Sequence, residues 1–260
     1  MMGALWTAAT GMRAQQTNID VTSNNLANAN TLGFKKVRAE FKDLMYRTAR
    51  QAGTPMQSGT QMPVGTQVGM GVHNSATARI FSQGDFQQTE NPFDWVIEGE
   101  GFFQIQRPDG QMAFTRDGSF KIDGNGQIVT SEGLMLVPQI TVPQGATNPS
   151  VTSEGIITVQ IGNNITTVGQ ISLARFINPA GLTAIGRNLY MPTPASGDPV
   201  IANPNVEGLG TIAQGYIEMS NVKVVEEMIN LIIAQRAYEA NSKSVQTSDE
   251  MLGMANNLRR

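Results

Sequence analysis

Asp123-Gly124-Asn125-Gly126 opens like a calcium-binding loop, where oxygen ligands alternate and a bidentate glutamate closes the cage at position twelve. The pattern stops at once. Gln127 stands at the fifth position, Ile128 where the sharp turn needs glycine, and Leu134 at the twelfth. The segment is expected to be a hairpin turn. Glu98 and Glu100 would share one face of a strand, the paired carboxylates that glycoside hydrolysis uses. Their place beside a turn makes solvated edge charges the better reading. Gly99-Glu100-Gly101 begins a dinucleotide fingerprint, but the third glycine would fall at Gln104 and no helix follows. His73 is the single histidine, with no nucleophile beside it, and cysteine is absent. Multi-histidine metal clusters, thiolate sites and disulfides are thereby excluded. Trp6 and Trp95 are expected to pack. No catalytic, cofactor-binding or metal-binding residue is predicted, and no cofactor.

The elements around these residues point to assembly. Only 15% of the 260 residues are charged and the net charge is −3, which provides no field for nucleic acid or an anionic membrane. No apolar run reaches the ~18 residues of a membrane span, and Met1-Met2-Gly3-Ala4-Leu5-Trp6 lacks the basic and apolar regions of a secretory signal. A weakly charged surface suits a subunit packed among copies of itself.

Leu5, Met12, Ile19 and Leu26 recur every seventh residue, and so do Val224, Leu231, Tyr238, Val245 and Leu252. Such a row gives a helix an apolar seam that demands a partner. Helices are predicted from residue 3 to about 29, with Gly33 as an end signal, and over 221–258, with Ser220 or Asn221 as cap. They can pair with each other, with copies, or both. Gly53, Gly59 and Gly65 each start a six-residue unit with threonine second and an apolar residue fourth. That region reads as a linker or as an extended arm against a neighbour. Between 72 and 215, short apolar runs separated by turn signals such as Pro108-Asp109-Gly110 predict an all-β domain of many short strands. The fold class is therefore α+β. Long terminal coiled-coil-like helices pair and enclose a β domain, divided as 1–32, 33–71, 72–215 and 216–260.

Three segments carry a resemblance. Asn24-Asn25-Leu26-Ala27-Asn28, running on to Gly33-Phe34-Lys35, resembles the N-terminal signature of bacterial flagellar rod and hook proteins. Gly99 to Phe103, with Phe114 to Phe120 and Asp123 to Val129, is similar to their central β motif. Gln214 to Val222, with Ala234 to Lys243, resembles their C-terminal helix. The length, the 46–70 insertion and Arg116-Asp117-Gly118 look most like the members that build the distal rod. The resemblance implies a subunit exported through the flagellum's own channel without a cleaved signal, stacking into a hollow helical tube that crosses the periplasm. Its partners would be itself, the proximal rod and hook-side axial proteins, the bushing rings and the export apparatus. The tube would carry motor torque to the hook. Both heptad rows would be assembly interface, and Thr54, Met56, Met62 and Val68 would belong to a stiffening insertion. The alternatives are a sibling axial protein, proximal rod or hook, and less readily a peptidoglycan hydrolase using Glu98 and Glu100.

Overall fold

The polypeptide forms two compact units, one of residues 1–27, 37–78 and 223–260, the other of 28–36 and 79–222. The computed structural model describes residues 2–53, 63–162 and 164–257. Thr54, Met56 and Met62 of the expected insertion, and Arg259 and Arg260, lie outside them.

The first unit holds helices α1 (Met2–Ala27) and α2 (Val224–Asn257). Alanines favour helix in α1. It stops at Ala27, two residues before the expected end. Gly33, at φ +65°, is not its stop signal. The 34 residues of α2 make a rod of about 51 Å. It begins at Val224 rather than 221, and Asn221, one of the two expected caps, is engaged elsewhere. The Asn221 amide accepts a hydrogen bond from the Lys36 N–H and donates to the carbonyls of Ile80 and Ser82. Glu226 and Glu227 occupy the first turn, where the helix dipole favours negative charge.

An antiparallel ribbon completes this unit. Strand Val37–Asp43 pairs with Val72–Arg79, and Tyr46–Arg50 pairs with Thr66–Gly69, Arg47 opposite Val68. Strand structure thus starts earlier than residue 72, and Val68 is a paired strand residue. The Thr10 hydroxyl of α1 accepts a hydrogen bond from the Val72 N–H at 3.3 Å, and this ties ribbon to helix.

The second unit is β-rich. Its largest sheet centres on Phe102–Gln106, which pairs antiparallel with Met112–Thr115, Met135–Val137 and Leu173–Arg175. This central strand is buried on both faces. Phe103 and Ile105 enter a core with Trp95, Ile97, Phe120 and Leu136, while Phe102 joins Phe114, Phe176 and Tyr190 on the other side. The rings meet edge to face, Phe103 on Phe120 at 5.1 Å and Phe114 on Phe176 at 4.8 Å, the geometry aromatic quadrupoles prefer. The Asp123–Gly126 segment is the expected hairpin turn. The Gly126 N–H bonds the Asp123 carbonyl between strands Lys121–Ile122 and Ile128–Val129.

Candidate assembly surface

Gly11 and Asn241 face each other so closely that a Cβ on Gly11 would lie 2.9 Å from the Asn241 amide nitrogen. Fourteen residues on in α1 and fourteen back in α2, the Asn25 amide donates to the Glu227 carboxylate at 3.2 Å. The terminal helices therefore pair antiparallel and in step. Asn25 also holds both backbone groups of Val37, at 2.8 and 2.9 Å, fixing where the ribbon leaves the helix pair.

The predicted heptad rows lie beside this seam rather than in its middle. Leu5, Met12, Ile19, Leu26, Leu231, Val245 and Leu252 are half-buried, while Val224 and Tyr238 are exposed. In α2 the buried positions, Glu227, Ala234 and Ser248, lie three residues after members of the predicted row; in α1 they are Ala8, Ala14, Thr22 and Asn25, of which only Ala8 and Thr22 do so. Small side chains there let the backbones approach. An apolar-row search misses them because they are small or polar.

The chemical candidates Glu98, Glu100 and His73 are exposed side chains. Glu100 forms an exposed ion pair with Arg175 at 3.1 Å, and Glu98 is exposed. His73 is exposed at the edge of a cavity of about 480 Å³ beside Thr10 and Arg13. Among the described residues no group of three or more His, Cys, Asp or Glu could hold a metal ion, and no helix is long and apolar enough to cross a membrane. Trp95 is fully buried, as expected, but Trp6 is 68% exposed.

The second unit contains a charged cluster that sequence reasoning missed. Lys35 and Glu218 are buried and paired, and Arg116 lies 3.6 Å from the second Glu218 oxygen. Lys35 Nζ also donates to the Ser82 carbonyl, the Gly84 N–H donates to Glu218 at 2.9 Å, and Arg116 donates to the carbonyls of Ile97 and Gly99. Burial holds the Lys35 ammonium below its usual pKa, against the opposing pull of Glu218. Gly33 permits the close approach: a Cβ there would stand 2.7 Å from the Asp117 nitrogen.

Each cluster member falls in a different matched segment. Residues 5–35 match the family described as flagella basal body rod protein. Residues 96–159 match the flagellar hook protein FlgE/F/G D1 domain, and 213–258 the flagellar basal body rod FlgEFG protein C-terminal domain. Over its full length the chain is 54% identical to the flagellar basal-body rod protein FlgG of Borreliella burgdorferi, covering 100% of each. It is 48% identical to that of Caulobacter vibrioides, covering 99% of this chain and 100% of the relative. The chain belongs to the FlgG family of flagellar basal-body rod proteins. This FlgG-family chain is a structural rod subunit of the basal body, not an enzyme. The flagellar hook protein FlgE of Helicobacter mustelae is 43% identical, but over only 52% of this chain and 30% of the hook protein.

Proposed function

We propose that the chain builds the distal rod as a self-assembling, hollow helical tube. In this reading the terminal helices act as the coiled-coil-like inner layer of the tube, and the β domain as its outer layer. The segments act as 1–32 and 216–260 for the inner wall, 33–71 for the connecting arm, and 72–215 for the outer domain. The tube crosses the periplasm, turns within bushing rings, joins the proximal rod to hook-side axial proteins, transmits torque and conducts exported subunits. Subunits reach it through the flagellar export apparatus without a cleaved signal. Leu5, Met12, Ile19, Leu26, Val224, Leu231, Tyr238, Val245 and Leu252 serve the inner wall. Thr54, Met56, Met62 and Val68 stiffen the shaft.

The observation that carries the reading is a pair of terminal helices that meet through small and polar residues and leave many of their large apolar ones exposed. A helical filament needs repeating heterologous contacts, and uncovered apolar surface on a weakly charged chain supplies them. Purified chain under polymerising conditions should form straight, hollow tubes in electron micrographs. A chain that stays monomeric at every concentration would refute the proposal. The partial match to a hook protein favours rod over hook. Removing residues 54–62 leaves both ribbon strands in place and should lower the bending stiffness of the tubes; unchanged stiffness would argue against the role of the insertion.

A further inference from the structure

Val225, Met228, Ile229, Ile232 and Ile233 follow the i, i+3, i+4, i+7, i+8 spacing of a core-facing helix stripe. Yet they are between 51 and 70% exposed. The stripe lies away from the seam of Glu227, Ala234 and Asn241, so α1 does not cover it. A second apolar surface occurs in the same unit. Met2 and Trp6, near the start of α1, and Val68 and Met70 of the ribbon line an open groove of about 1160 Å³ that reaches Ser244 of α2. All four apolar side chains are exposed.

The two surfaces stand at different heights on the helix pair. The antiparallel register places Trp6 level with Gln246. Ile232 is fourteen residues from that level, about 21 Å along the axis. A ridge and a groove that far apart cannot fill each other within one chain, but they can between chains. The contact is then head-to-tail, and every added copy exposes a new ridge and a new groove. Charge agrees: Arg47 lines the groove, and Glu226 flanks the ridge in an exposed pair with Lys223. Such an exposed pair is worth little and exchanges readily.

We infer that the α2 ridge of one copy seats in the groove between Trp6 and the paired strands Tyr46–Arg50 and Thr66–Gly69 of the next copy. The inference rests on the self-assembly reading and names its contact. Because the chain contains no cysteine, introduced thiols report it cleanly. Trp6→Cys and Ile232→Cys chains are mixed, polymerised and mildly oxidised. The mixture should give a covalent dimer that neither variant gives alone, and the double variant a ladder of multimers. An intrachain bond is excluded because disulfides need Cα atoms within about 7 Å. If either Trp6 variant fails to polymerise, Val68→Cys with Ile229→Cys makes the same test. Tubes without the mixed dimer, or dimers from Ile232→Cys alone, overturn the ridge-and-groove contact while leaving self-assembly standing. Absence of tubes from the unaltered chain overturns both.

Discussion

Glu218 is the residue on which the second unit's buried charges depend. Its carboxylate faces Lys35 and Arg116, both almost fully buried, and each comes from a different family segment. Buried ion pairs add little net stability when compared with apolar packing, but removing one partner leaves uncompensated charge in low dielectric. Glu218→Ala should therefore destabilise the chain by roughly 3–5 kcal/mol in denaturant unfolding, and Lys35→Met in the same background should recover part of it. The loss should depend on pH in one direction. Burial makes folded Lys35 release its proton below the unfolded value of 10.5, so its contribution improves as pH rises through the folded pKa towards that value. Without Glu218, Arg116 and the Ser82 carbonyl still face the ammonium. The Glu218→Ala deficit should then shrink between neutral pH and about pH 10; a deficit independent of pH would deny the pairing. Lys35, Arg116 and Glu218 each stand out in sequence only as members of a motif. That they meet is a product of topology, which one-dimensional spacing cannot encode.

At the scale of elements, the helix pair shows what a heptad does and does not reveal. The every-seventh-residue rows mark two terminal helices, and the helices do contact each other, but the buried seam between them lies to one side of the rows. The seam's centre holds Ala8, Thr22, Ala234 and Ser248, which any apolar filter passes over, because close backbone approach favours small side chains. The apolar stripe on the outer face of α2 was hidden for the opposite reason. Its Val225, Met228, Ile229, Ile232 and Ile233 merge with neighbouring Val224 and Leu231 into a nearly continuous apolar run, and a run alone does not say which face is covered. The ribbon strands beside the repeat were obscured by glycine density, although Thr66–Gly69 pairs well with Tyr46–Arg50. If close approach is what matters, Ala234→Leu should force the helices apart and cost about 1–3 kcal/mol. Gln235→Leu, one position on and exposed, should stay within about 0.5 kcal/mol. Circular-dichroism melts of the two variants decide this: equal stability would mean that Ala234 is not at a tight crossing.

For the molecule as a whole, the two units bury very different surfaces. The β-rich unit buries large side chains such as Trp95, Phe103, Leu136 and Ile157 in its interior, each worth roughly 1.5–3 kcal/mol when fully buried. The helical unit buries alanine, serine and threonine at its seam and leaves its large apolar residues half or fully exposed. Its helices should therefore open more often than the β unit in a single chain, since local stability follows buried apolar contact. Assembly changes the balance: when ridge and groove close on neighbouring copies, the uncovered stripe becomes core and ordering cost is offset by burial. Hydrogen exchange follows both states. In the monomer, amides of 2–27 and 224–257 should exchange well before those of Phe102–Gln106 and Met112–Thr115. In tubes, protection should rise most at 225–233 and at 2–8, the two ends of the proposed contact. Helices as protected as the strands in the monomer would contradict the stability order. Equal gains along all of α2 would place the intersubunit contact on the whole helix instead of on its first three turns. If the chain works as a polymer, the stiffness of its helices belongs to the assembled tube rather than to the single chain.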